Sequence, residues 1–301
     1  MSITIKINSL TKDYGNGKGI FGFDYSIKEG ETFGLVGTNG SGKTTTMRHL
    51  MGFLKADNGN CEINGKDCWK KSRDIMKHIG YVPGEIDFPD VGTGESFLKL
   101  QAQFLGLKDM SYTNELIDRF KLAADAPLRR MSKGMKQKTA LVAAFMSKPD
   151  ILLLDEPSTG LDPLMRDTLI KLILEQRQRG ATVFMSSHIF KELEDTCDRV
   201  AFIHNGKMID TVDKSMYSET MPKQYRIGFA DENEYQNFID EKSFEIVKKN
   251  DKYRHVYISV ADNEVTKLFG MLKNYDIRYI KYNPYSLEMY YTEVIEKGGK
   301  L

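Results

Sequence analysis

The sequence predicts an α/β domain that carries a helical insert and is followed by a smaller α+β domain. Three observations predict it. Short apolar runs of strand length alternate with amphipathic stretches as far as about residue 215. The segment from about 93 to 147 interrupts that alternation with helical spacing throughout. Beyond a break at Tyr217–Pro222 the pattern restarts in the order β-α-β-β-α-β, which is the ferredoxin-like order. The first domain is therefore expected over residues 1–220, with its insert at about 93–147, and the second over residues 221–301.

Each element has a local reason. Ile3–Ile7 alternates apolar and polar residues as a strand, Phe23–Ile27 is a second, and Glu29-Gly30-Glu31 turns the chain into a third, Thr32–Val36. Met47, Leu50, Met51 and Leu54 share one face of an expected helix over Thr44–Leu54, and Asn58-Gly59 is expected as a turn. Ile79–Val82 is a short strand that stops at Pro83-Gly84. Helices follow over Glu95–Phe104, Thr113–Phe120 and Lys133–Ser147. Ile151–Leu154 is an unbroken apolar run, suited to a strand buried on both faces. Leu164–Arg179 is helical, Ala181–Met185 a strand, and Phe190–Asp195 helical; Arg199–His204 and Lys207–Thr211 flank the hairpin signal Asn205-Gly206. The second domain is expected as Tyr225–Phe229, Glu232–Asp240, Glu245–Lys249, Arg254–Val260, Asn263–Tyr275 and Ile277–Tyr282. Leu287, Tyr290, Tyr291, Val294 and Ile295 then mark one face of a closing helix.

Composition narrows the function. Lys and Arg number 43 against 42 Asp and Glu, a balance that gives no support to a nucleic-acid partner. Cys61, Cys68 and Cys197 have no metal-ligand spacing and are expected as reduced thiols. The N-terminal Met1-Ser2-Ile3-Thr4-Ile5-Lys6 lacks the apolar core of a signal peptide. No apolar run approaches the ~20 residues of a membrane-spanning helix. Any membrane role is thus expected to be peripheral or through a partner.

Two motifs carry chemistry. The first, Gly37-Thr38-Asn39-Gly40-Ser41-Gly42-Lys43-Thr44, has the spacing of a phosphate-binding loop. Successive backbone N–H groups must turn inward around phosphate oxygens, and side chains at Gly37, Gly40 and Gly42 would obstruct that path. The helix that follows presents its positive end to the same anion. Residues Gly37 to Thr45 are the candidate contacts for ATP; Lys43 is expected on the β- and γ-phosphates and the Thr44 hydroxyl on Mg²⁺. The second motif, Ile151-Leu152-Leu153-Leu154-Asp155-Glu156-Pro157, sets two carboxylates at the end of a buried strand. Asp155 is the candidate for the Mg²⁺ shell and Glu156 for polarising a water toward the γ-phosphate.

Between these motifs, Met131-Ser132-Lys133-Gly134-Met135-Lys136-Gln137-Lys138 resembles the signature of ATP-binding cassette (ABC) ATPases, and resembles more closely the variant of ABC-2-type exporter subunits. Ser158-Thr159-Gly160-Leu161-Asp162 resembles the D-loop, Ser187-His188 the switch histidine, and Tyr14 the aromatic that stacks on adenine. Two departures stand out: Lys133 replaces the usual Gly, and Gly84, followed by Glu85, replaces the Gln of the Q-loop. Glu85 is read either as a substitute oxygen ligand of the metal or as a solvent-exposed carboxylate. The resemblance implies a RecA-like core with antiparallel β and helical subdomains. It implies two copies docked head to tail around two ATP molecules, with Ser132 and Gly134 of one on the γ-phosphate held by Lys43 of the other, and with Glu156 and His188 orienting the water. It further implies a separate transmembrane permease, a place on the inner face of the cell membrane through that permease, and export of a drug or peptide. The alternatives are a soluble ABC-type ATPase acting on ribosomes or DNA, and an importer subunit. Lys43→Ala is expected to lose most nucleotide affinity; unchanged affinity in a binding titration would contradict the loop assignment.

Overall fold

The structure, a computed structural model, describes residues 2–214, 223–283 and 285–296, so the expected break at Tyr217–Pro222 lies outside it. The described residues up to Lys214 form one compact unit, and those from Lys223 to Glu296 a second.

In the first unit the chain runs β1 (Ile3–Asp13), β2 (Gly19–Lys28), β3 (Thr32–Gly37), α1 (Lys43–Leu50), β4 (Asn58–Ile63), β5 (Lys66–Asp67), α2 (Ser72–Ile75) and β6 (Ile79–Val82). It continues through α3 (Gly94–Leu105), α4 (Ser111–Arg119), α5 (Lys133–Phe145), β7 (Ile151–Asp155), α6 (Pro163–Gln178), β8 (Thr182–Ser187), α7 (Phe190–Thr196), β9 (Arg199–His204) and β10 (Lys207–Asp213). A six-stranded sheet has the order β10-β9-β3-β8-β7-β6. It is parallel except for β10, which returns antiparallel along β9 after the Asn205-Gly206 turn. Every residue of β3, β7 and β8 is buried, which is why these strands read as continuous apolar runs. A second, antiparallel sheet has the order β2-β1-β4-β5. The rings of Tyr25 on β2 and Phe33 on β3 stack at 5.2 Å, so the two sheets share one core.

Helix starts are set by side-chain caps. Thr93 accepts from the Ser96 N–H at 3.2 Å, Ser132 from the Met135 N–H at 3.2 Å, and Asp162 from the Met165 N–H at 3.0 Å. Ser132 and Asp162, singled out above as signature and D-loop residues, therefore also open α5 and α6.

Three of the differences from expectation have a local physical cause. β1 runs on to Asp13, because register shifts past Ile7 break the alternation while pairing to β2 and β4 continues. The helix expected to Leu54 ends at Leu50, and Gly52 then takes a left-handed φ of 65°. Asn58-Gly59 is not a free turn but the first pair of β4, with Asn58 opposite Thr11. Gly59 has φ 72°, and a Cβ there would lie 2.3 Å from the carbonyls of Asn8 and Ser9. The glycine thus serves a close approach of two strands.

The second unit holds β11 (Lys223–Phe229), α8 (Glu232–Glu241), β12 (Glu245–Asn250), β13 (His255–Val260), α9 (Val265–Leu272), β14 (Ile277–Asn283) and α10 (Leu287–Glu296). Its antiparallel sheet has the order β12-β13-β11-β14. Ile227, Phe229, Val256 and Ile258 pack against Tyr235, Phe238, Leu268 and Leu272 of the helices.

The approach of β6 to α5 joins the helical insert to the main sheet. A Cβ on Gly80 would sit 2.2 Å from the Ala144 carbonyl and 2.7 Å from Leu152 Cδ2. Gly80→Ala is expected to destabilise the chain by about 1–3 kcal/mol through overpacking, read as a lower thermal midpoint; an unchanged midpoint would show that α5 shifts freely.

Candidate functional site

β3, β8 and β7 lie side by side in the sheet, and their C-terminal ends bring the motifs together. The glycine-rich loop leaves β3 and enters α1, the two carboxylates end β7, and Ser186-Ser187-His188 ends β8. This edge of a parallel sheet is the general place for ligands in α/β folds.

Lys43 is buried, with 6 % exposure. Its Nζ donates to the Gly37 carbonyl at 2.9 Å and the Thr38 carbonyl at 3.3 Å, and pairs with Glu156 Oε1 at 3.2 Å. Gly40 and Gly42 take φ of 80° and 114°, and a Cβ on Gly42 would lie 2.4 Å from Ile20 Cγ2. Here glycine is required both for the turn and for the space.

Glu156 also has a left-handed φ, 51°. That conformation costs a non-glycine residue about 1–3 kcal/mol. It is held by the Glu156 N–H, which donates to the Ser186 carbonyl at 3.2 Å and to Ser186 Oγ at 3.1 Å. The other carboxylate oxygen, Oε2, meets Nδ1 of His188, whose ring is half exposed. Glu156 thus lies between the loop lysine and the histidine after β8.

Asp155 is fully buried beside it. Oδ1 accepts from Ser186 Oγ at 2.6 Å, whereas Oδ2 has no protein partner. Gly84 passes this free oxygen so closely that a Cβ there would lie 2.8 Å from Oδ2. A Gln at this position, which the resemblance implied, could place its first carbon only if the Asp155 carboxylate shifted.

An open cleft of about 850 Å³ lies over these groups. Tyr14, Asn39, Gly40, Gly42, Lys43, Thr44, Thr45, Glu85, Glu156 and His188 line it, and Tyr14 is 53 % exposed, leaving a ring face free for stacking. Gly37 and Ser41 are buried behind the loop surface, and Thr38 is exposed outside the cleft. Met131, Ser132, Gly134 and Met135 do not reach the cleft; of the signature only Lys133 does, and of the D-loop only Thr159. Ser158 and Leu161 are buried, and Gly160 packs against Gly134, whose Cβ would lie 2.6 Å from the Gly160 carbonyl. Sequence reading missed Ser186, which donates to the Asp155 carboxylate and accepts from the Glu156 backbone N–H, and the cleft-lining cations Lys18 and Arg48. No spacing rule distinguishes these from ordinary strand and surface residues.

A buried lysine in a glycine-rich loop, a paired carboxylate and an open cleft between them suit phosphoryl transfer to water. The family profile described as ABC transporter matches residues 20–159. Over 306 aligned residues the chain is 30 % identical to the bacitracin transport ATP-binding protein BcrA of Bacillus licheniformis, with 99 % of each chain covered. The chain belongs to the ABC transporter family. It is an ATP-binding subunit and an ATP-hydrolysing ABC-type ATPase. It is also 33 % identical over 211 residues to the linearmycin resistance ATP-binding protein LnrL of Bacillus subtilis strain 168, covering 68 % of each. A solved ATP-binding subunit of an ABC transporter superposes with a TM-score of 0.64 at 30 % identity, over 70 % of this chain and 90 % of its own. The dimeric bacterial ABC transporter cassette MJ0796 shares the fold, with a TM-score of 0.63 at 22 % identity over 70 % and 98 % of the two chains.

Gly84→Ala is expected to cut ATP hydrolysis by about tenfold or more, because the added methyl displaces the Asp155 carboxylate. A steady-state rate equal to the parent's would show that this close approach is not required.

Proposed function

We propose that this ABC ATPase powers export of a drug or peptide through a separate membrane-spanning permease, as one of two ATPase subunits in a two-fold pair. The full-length similarity to a bacitracin transport ATP-binding protein carries the reading, since it extends through the second unit as well as the ATPase unit. The signature variant at Ser132–Lys138 and the Pro83-Gly84-Glu85 loop resemble exporter subunits and favour export over import. No helix among the described residues is long and apolar enough to cross a membrane, so the reading assigns the pathway to another chain and places this one at the inner face of the membrane through it. An apolar groove of about 250 Å³ beside the Gly84 loop, lined by Phe53, Tyr81, Ile86, Phe88 and Phe97, offers that chain a contact that would sense loop movement.

In this mechanism Tyr14 stacks on adenine and the loop N–H groups and Lys43 hold the phosphates. Glu156 polarises the attacking water, oriented by His188. Ser132 and Gly134 of the second subunit close over the γ-phosphate. Mg²⁺ typically takes one or two protein oxygens and completes its shell from phosphates and water. Thr44 and the unpartnered Oδ2 of Asp155 fit that demand. The ion would neutralise charge developing on the phosphate oxygens. Catalysis is then mostly positioning and charge stabilisation. Closure on ATP and opening after hydrolysis drive the permease between two orientations.

Glu156→Gln is expected to bind Mg-ATP, to turn over about 100-fold more slowly or worse, and to accumulate a closed dimer on size exclusion; full activity would remove Glu156 from the mechanism. Purification from membranes should recover the chain with a hydrophobic membrane protein. Recovery with ribosomes or DNA instead would overturn the transport reading.

A further inference from the structure

Gly84, Glu85 and Lys133 line two neighbouring clefts at once. One is the nucleotide cleft. The other, about 350 Å³, has Gly84, Glu85 and Ile86 on one wall and Met131, Lys133, Lys136 and Gln137 from the start of α5 on the other. The shared residues therefore form the rim between the clefts, Glu85 from the loop after β6 and Lys133 from the start of α5. Glu85 is the carboxylate lining the second cleft, and Lys133 and Lys136 are its cations. Among the described residues none of the three is engaged in an ion pair.

Both walls are anchored to the same strand end. Gly84 lies against Asp155. On the opposite wall Gln137 Nε2 donates to the Pro157 carbonyl at 2.8 Å, and Gly134 packs on the Gly160 carbonyl. Opposite charges thus line one gap, and the segments that carry them are both tied to the strand end bearing Asp155 and Glu156. Lys133, and Gly84 next to Glu85, are also the two departures from the pattern that this sequence otherwise resembles.

The geometry points to Glu85 and Lys133 as an ion pair within one chain, formed as the cleft narrows on nucleotide, that ties the loop after β6 to the start of α5. Both are positioning residues. In open water such a pair contributes little. Closure expels water and lowers the local dielectric, so the pair strengthens in the closed form and stabilises it selectively. It thereby sets how often the start of α5 stands where Ser132 and Gly134 can reach the nucleotide of the second subunit. The inference rests on the ATPase reading above.

The test is a double-mutant cycle on ATP hydrolysis by the full-length chain, with Glu85→Gln, Lys133→Gln, their combination, and the exchanged pair Glu85→Lys with Lys133→Glu. Each single change is expected to lower kcat by about 3- to 10-fold while KM for ATP stays within about twofold, and the combination should be no slower than the worse single. The exchanged pair should regain at least half of the lost rate. Multiplicative effects of the two single changes, or an exchanged pair as slow as their product, would overturn the pairing. So would a raised Mg²⁺ requirement in Glu85→Gln that is indifferent to residue 133, since Glu85 would then be a metal ligand. Independently, Glu85→Cys with Lys133→Cys should cross-link faster with a non-hydrolysable ATP analogue than without nucleotide, the native cysteines being buried; equal rates would contradict closure of the gap. Failure of the ATPase reading is separable, because the parent chain would then show no hydrolysis sensitive to Lys43→Ala.

Discussion

The ion pair between Lys43 and Glu156, 3.2 Å long and nearly shut off from solvent, is the contact on which the rest of the site depends. A lysine ammonium has three donors, and this one has three acceptors: the carbonyls of Gly37 and Thr38 and the Glu156 carboxylate. Burying that charge costs several kcal/mol, offset only if every donor is met. A nucleotide phosphate offers the same lysine a stronger acceptor. In the proposed mechanism a bound phosphate would take over Lys43 and release the Glu156 oxygen facing it, while the other oxygen stays with His188. On the proposed mechanism, the carboxylate that polarises the water would thus be freed by the arrival of the group the water attacks.

The sheet makes this arrangement inevitable once the strand order is set. β8 lies between β3 and β7, so its end separates the loop from the carboxylates and supplies Ser186 to brace both Asp155 and Glu156. The left-handed φ of Glu156 turns the chain out of β7 and toward Lys43. The loop after β6 completes the fourth side, and Gly84 lets its backbone lie against Asp155. Each of these contacts is between residues at least 30 positions apart except those within the glycine loop itself, so the site exists only in the folded sheet.

The parts legible in the sequence were those governed by local rules. The buried run of β7, the strand β8, the Asn205-Gly206 hairpin and the phosphate loop each carry a spacing or residue type with one physical reading. What the sequence could not display were contacts between distant segments. Asn58-Gly59 has turn chemistry, yet pairing with β1 claims it as strand. Gly84 read as a missing glutamine, whereas the fold shows an approach to Asp155 so close that a side chain there would displace its carboxylate. Ser186 has no local mark at all. The β-α-β-β-α-β order of the second unit was readable, but its strand order, with β11 between β13 and β14, follows from long-range pairing.

One arrangement places Ser132 and Gly134 away from the cleft that holds Lys43 of the same chain. The account therefore requires a second subunit to complete each site, and subunit complementation tests this most directly. Lys43→Ala and Ser132→Arg chains are each expected to be inactive alone. Mixed, they form dimers in which one site combines an intact loop with an intact signature, and ATP hydrolysis should return to a substantial fraction of the parent rate. No recovery on mixing, or full activity of the Ser132→Arg chain by itself, would contradict the account.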